Sequence, residues 1–195
     1  MDKSNNRKLN DRNPNYYPLT TNYYLGIDTS TSILDIAIID SKGFCLASET
    51  SNNEKTHSER AMPAIDSVLK KANLSINDID IFAACIGPGS YTGVRIGVSI
   101  AKGLALATNK EYKTISSFDL MVHPKNPLAI PIIDARRGAV FTNLMGKNTR
   151  IDLAELKEKL NGQNYKFIEP HAGKWEGITP NMLGNEEIIY LGGSI

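Results

Sequence analysis

Two short segments carry groups that could handle a phosphate. The first is Asp28-Thr29-Ser30-Thr31-Ser32. A carboxylate beside several hydroxyls could hold a phosphate-bound cation and the phosphate oxygens. The same residue types are ordinary turn formers, because Asp and Ser bond their own local backbone. The second segment is Gly87-Pro88-Gly89-Ser90-Tyr91-Thr92-Gly93. It lies between an apolar run and a helical pattern, where backbone N–H groups and the helix dipole favour an anion. It is not a Walker A loop, since no Lys-Ser or Lys-Thr follows the last glycine and the nearest downstream lysine is Lys102. Nor is it a GxGxxG fingerprint. Close backbone packing at a tight strand-to-helix turn accounts for the glycines equally well.

Other reactive side chains are scattered. His57, His123 and His171 lie far apart, and none has a second ligand at helical spacing. Cys45 and Cys85 each sit in an apolar run, as buried thiols do, without metal-ligand spacing. Arg136 and Arg137 follow a strand ending near Asp134 and are either an anion contact or a solvated pair. Trp175 reads as a local packing anchor.

The elements that must position these residues follow from periodicity. Residues 23–29 (YYLGIDT), ILDIAIID and FCLASET read as three strands joined by short turns, an antiparallel meander. A helix is expected from Ser58 to Ala72, with Ser58 as N-cap and Pro63 as a blemish near its start. Residues 81–86 (IFAACI) form an unbroken apolar run, which suits a strand buried on both faces. A second helix is expected over 94–108, then a short strand EYKTI and a helical turn SSFDLMV. In the second half, 128–135 and 138–145 read as a hairpin. Asp152 and Glu155 start a short helix lined by Leu153, Leu156 and Leu160, and YKFIE and IIYLGG close the order as strands. No internal repeat is visible in the residues. The second helix carries Gly93, Gly97, Ala101 and Ala105 at steps of four and is apolar nearly all round. Helix glycines cost about 1 kcal/mol each, so this stripe needs a close neighbour. The first helix or a partner chain could supply it.

Composition bounds the class. The chain has 195 residues, 41% of them hydrophobic, and 22 basic against 21 acidic side chains. That is enough for a packed core, and a net charge of +1 argues against gripping nucleic acid alone. No apolar stretch suits a membrane span, no secretory h-region is visible, and a cytoplasmic location is expected. Residues 1–22 read as a disordered tail, 23–127 as a first lobe, and 128–195 as a second, reduced lobe.

Four segments in order, LGIDTSTSILDIAIID, THSERAMPAID, IGPGSYTGVRIGVSIAKGLALAT and IDARRGAVF, resemble the TsaB (YeaZ) family across roughly residues 23–145. The resemblance implies an actin-like, RNase-H-type α/β fold: a mixed sheet with covering helices in two lobes. It implies a non-catalytic scaffold subunit that stabilises a TsaD-like catalytic partner in making threonylcarbamoyladenosine beside the tRNA anticodon. A TsaE-like ATPase would join through the complex, and tRNA would be met only within it. The paralogue's metal-ligand positions fall here on Ser117 and Met121, which are poor ligands for a hard metal. Asp28, Ser30, Gly87, Gly89 and Ser90 would then be remnants of a nucleotide site, with no cofactor required and weak nucleotide binding at most. The implied partner contacts, made as a four-helix bundle, are Ala61, Ile65, Leu69, Gly97, Ile100, Ala101 and Leu104. The same face would serve a homodimer where the partner is absent. The rivals are a small ATP-dependent phosphotransferase using Asp28 and the glycine loop, and a peptidase, for which no ligand or nucleophile set is visible.

Overall fold

A computed structural model describes residues 22–51, 56–121, 129–144, 146–163, 165–169 and 188–190. The expected tail, the boundary between 127 and 128, and His123, His171 and Trp175 lie outside these residues, Asn22 excepted.

The chain opens with the expected meander. Strands β1 (Tyr23–Asp28), β2 (Leu34–Asp40) and β3 (Cys45–Ser51) pair antiparallel, with a register shift between Ile38 and Ile39. Helix α1 (His57–Lys71) follows. Its N-cap is Thr56 rather than Ser58, because the Thr56 N–H donates to Glu59 Oε2 at 3.0 Å in a capping box. The helix runs through Pro63, which sits on its exposed side. Strand β4 (Ile81–Cys85) lies parallel to β1 and is buried on both faces save for Ala83, which is half-buried. Helix α2 (Tyr91–Thr108) starts three residues before its expected first turn. The glycines of the loop hid that start, since Ser90 accepts the Gly93 N–H at 3.2 Å and caps it. Strand β5 (Glu111–Ile115) completes a sheet ordered β3-β2-β1-β4-β5.

Helix α3 (Ser117–Met121) leads to β6 (Ala129–Asp134) and β7 (Ala139–Leu144), the expected hairpin. Strand β8 (Lys147–Asp152) extends the hairpin antiparallel. Its polar residues, including Lys147, Asn148, Thr149 and Arg150, gave no strand signal, and edge pairing with β7 supplies what propensity does not. Helix α4 (Leu153–Lys159) is capped by Asp152 and buries Leu153 and Leu156. Strands β9 (Lys166–Glu169) and β10 (Ile188–Tyr190) pair parallel, giving the order β10-β9-β6-β7-β8.

The two sheets share one plan. Each is a three-strand antiparallel meander, then a helix, then a strand parallel to the meander's first member, then another parallel strand. In the first sheet, Leu25, Ile27, Ile36, Ile38, Phe82 and Ala84 meet α1 and α2 in one core. Each such side chain contributes about 1.5–3 kcal/mol when fully buried, alanine less. Ile132, Val140, Leu156 and Phe167 centre the second core. Phe118 and Met121 of α3 pack with Ala129, Ile133 and Ile168, so α3 ties the first sheet to the second.

Candidate functional site

Parallel strands β1, β4 and β5 end on the same side of their sheet, where α/β folds place ligands. The Asp28–Ser32 turn, the glycine loop and the start of α3 all meet there.

The turn is internally bonded. The Ser30 N–H donates to Asp28 Oδ1 at 2.7 Å, an Asx turn. Thr29 and Ser30 are fully buried. The Thr29 hydroxyl donates to the Gly93 carbonyl at 2.7 Å and accepts the Gly97 N–H at 3.1 Å. Those two backbone groups are a ladder pair of α2, four residues apart. The hydroxyl therefore enters the helix, and Gly97 leaves room for it: a Cβ there would lie 2.5 Å from Thr29 Oγ1. A Cβ on Gly93 would strike the Thr29 carbonyl, and one on Gly89 the Ser30 carbonyl.

Part of the loop's hydrogen-bonding capacity is spent on the protein. The Ser90 N–H donates to the Ser30 carbonyl at 2.6 Å, and the Val94 N–H to the Ser90 carbonyl at 2.9 Å. Ser90 Oγ holds the Gly93 N–H. Of the five residues expected to remain from a nucleotide site, Ser30, Gly89 and Ser90 are thus in mutual contact, Asp28 turns a carboxylate oxygen to its own turn, and Gly87 accepts the Ser117 N–H at 2.9 Å. Close packing explains the glycines.

Ser117 is the hub. Its hydroxyl donates to the Pro88 carbonyl at 2.8 Å and lies 3.0 Å from Cys85 Sγ and 3.3 Å from Ser30 Oγ. Burial first, and the Asp28 charge second, push the Cys85 thiol up, which keeps it protonated. Met121 is packed in the apolar cluster beside Ala129 and Ile133. Among the described residues, no group of three or more His, Cys, Asp or Glu is placed to hold a metal.

A cleft of about 410 Å³ lies between the loop and the β7–β8 hairpin, lined by Gly87, Pro88, Phe118, Phe141, Asn148 and Arg150, among others. Sequence reasoning missed Arg150 and Asn148 because β8 itself was missed.

The expected partner contacts fall mostly inside the chain. Ala61, Ile65, Leu69 and Ala101 are buried in the first core, and Gly97 faces β1. Ile100 and Leu104 are half-buried at its margin. The stripe Gly93–Gly97–Ala101–Ala105 meets the chain's own β1 side, which is the close neighbour its glycines require. A second stripe of small residues, Ser99, Gly103 and Ala107, faces outward beside Leu106, which is 85% exposed. Among the described residues, a Cβ on Gly103 would meet nothing within 4 Å. No described helix is long and apolar enough to cross a membrane.

Comparison with known proteins adds the following. The family model described as TsaD, tRNA N6-adenosine threonylcarbamoyltransferase, matches residues 45–166. The tRNA threonylcarbamoyladenosine biosynthesis protein TsaB of Bacillus subtilis is 40% identical over 123 residues, covering 62% of this chain and 53% of that protein. The protein of the same name from Haemophilus influenzae is 34% identical over 140 residues, covering 67% and 57%. The chain spans about half the length of these relatives. The solved structure of YeaZ from Pseudomonas aeruginosa matches with a TM-score of 0.62 at 21% identity and covers 75% of each chain. The fold is therefore the expected actin-like α/β arrangement of mixed sheets and covering helices.

Proposed function

Because this chain belongs to the TsaB (YeaZ) family, we propose that it takes part in tRNA threonylcarbamoyladenosine biosynthesis as a non-catalytic subunit that holds a TsaD-like catalytic partner. The observation that carries this reading is the state of the first sheet's carboxyl edge. Two of the loop's N–H groups, those of Ser90 and Gly93, are bonded to Ser30 and Ser90, and the positions assigned to metal ligands are a bonded Ser117 and a packed Met121. Those contacts support a structural role for that edge.

The docking face lies on the outer side of α2. Gly103 costs the helix about 1 kcal/mol and answers to no neighbour among the described residues. With Ser99 and Ala107 it forms a shallow channel that a second helix could enter, and Leu106 offers the apolar contact. Ile100 and Leu104 of the implied contact set border it, and Met62 on α1, 49% exposed, is a further exposed apolar side chain. The role is mass action: a subunit that binds only the competent partner raises that state's population. A homodimer would use the same face, and a TsaE-like ATPase and tRNA would join through the complex. The protein would work in the cytoplasm and need no cofactor.

The test is size-exclusion chromatography with light scattering, on the chain alone and mixed with the TsaD-type protein of the same organism. A one-to-one complex supports the reading, and Leu106→Glu should abolish it without unfolding the chain. Absence of any complex, with or without nucleotide, would reject it. One observation favours a second reading, an ATP-dependent phosphotransferase: the cleft carries Arg150 opposite the loop. Tight ATP binding with turnover by the chain alone would establish that reading instead.

A further inference from the structure

Tyr91, Arg95, Ser99, Lys102 and Leu106 form a line along the outer side of α2. Steps of four, four, three and four keep them on one face of the helix, and all of them are exposed. The ends of the line are aromatic and aliphatic, with Tyr91 76% and Leu106 85% exposed. Between them stand Arg95 and Lys102, two turns apart and the only charged residues of the helix. α2 carries no carboxylate, and among the described residues neither cation is in an ion pair.

Both cations are nevertheless held in place. The Arg95 guanidinium lies 5.3 Å from the centre of the Tyr91 ring, and its Nη1 donates to the Tyr91 hydroxyl at 3.3 Å. The Lys102 ammonium lies 5.4 Å from the centre of the Tyr112 ring of β5. A ring face steadies a cation without neutralising it. A side chain ordered in this way loses less freedom on binding than a mobile one does.

We infer that this line docks an acidic helix of a protein partner, with carboxylates two turns apart that meet Arg95 and Lys102 and an apolar side chain that covers Leu106. Charges beside an apolar seam select partners in the same way along a coiled coil. A second copy of this chain is a poorer match. Its α2 brings the same two cations, and the carboxylates of its α1 are already engaged, Glu59 with Thr56 and Asp66 with Lys70. A nucleic acid would meet the charges and leave Leu106 uncovered. The inference rests on the reading that the outer side of α2 docks a partner, and it adds the sign and spacing of the partner's charges.

The test measures association and dissociation rates by surface plasmon resonance, between the full chain and the nuclease-treated TsaD-type protein of the same organism, at low and at high salt. The double variant Arg95→Gln/Lys102→Gln changes two exposed side chains and should keep the wild-type melting temperature. Association about tenfold slower at low salt, with a flatter salt dependence and a smaller change in dissociation, supports the inference. Unchanged rates and salt dependence overturn it and leave the docking face standing. A wild-type chain that forms no complex removes the docking face and this inference with it. If nuclease treatment abolishes a complex seen without it, nucleic acid bridges the two proteins and the inference falls. It also falls if the variant breaks up a self-associated form of the lone chain, seen by light scattering, while the TsaD-type complex persists unchanged.

Discussion

The Thr29 hydroxyl and the Gly97 amide, 68 residues apart in sequence, are joined by a 3.1 Å hydrogen bond inside the backbone ladder of α2. The same oxygen donates to Gly93. One side chain therefore sets how closely β1 and α2 approach, beside the glycine loop that leads from β4 into α2. Gly97→Ala should destabilise the chain by about 1–3 kcal/mol, because overpacking against Thr29 outweighs the roughly 1 kcal/mol gained in helix propensity. Urea unfolding measures this. A Gly97→Ala protein as stable as wild type would mean that the close approach is not required. A charge at Gly97 or Ala101 consequently tests folding, not docking.

Gly103 should respond in the opposite sense. A methyl group there meets none of the described residues, so Gly103→Ala should stabilise the lone chain by up to about 1 kcal/mol. Gly103→Glu should leave the chain folded and block the proposed complex. If Gly103→Glu still forms that complex on a sizing column, the outer face of α2 is not the docking surface.

Ser117→Val removes the hydroxyl that holds the Pro88 carbonyl and approaches Cys85 and Ser30. The expected cost is about 1–3 kcal/mol, since buried polar groups lose a partner. Hydrogen exchange should quicken at residues 86–90. Unaltered exchange there would show that the loop is held by its glycine contacts alone.

Asp80 links the starts of three strands. Its carboxylate accepts the Tyr23 N–H at 3.1 Å and pairs with Lys110 at 2.9 Å, and its backbone carbonyl accepts the Glu111 N–H at 3.3 Å. Partial burial raises its pKa, but the hydrogen bonds to Lys110 and Tyr23 outweigh that and hold it below the ordinary 3.8. A depressed carboxylate stabilises the fold above its unfolded value, and that contribution is lost as pH falls through the folded value. Between pH 7 and strongly acid solution, Asp80→Asn should therefore show a flatter fall of melting temperature than wild type. Parallel curves for the two proteins would remove Asp80 from the acid response.

Much of the first half was legible in the residues. The alternation of β1 and β2, the unbroken apolar β4 and the helical spacing of α1 each report a local period that burial enforces. The boundaries moved where side chains cap. Thr56 took the place of Ser58 because Glu59 reaches back to its N–H, and α2 began at Tyr91 because Ser90 caps it through a glycine-rich loop. β8 was not legible, since an edge strand with a polar face has no apolar rhythm to read.

By itself, the sequence determined the order of elements apart from β8, the apolar faces that build the cores, and the need for something to sit close against the glycines of α2. These follow from short-range periodicity and from the steric cost of each residue type. Only the tertiary structure decided what that neighbour is. The stripe at Gly97 meets Thr29 across 68 residues of chain, and the unanswered glycine is Gly103. The structure likewise revealed that two sheets with no visible sequence repeat share one topology, and that two exposed arginines hold backbone angles suited to glycine. Contacts between distant segments depend on register and distance in space, which no local period encodes.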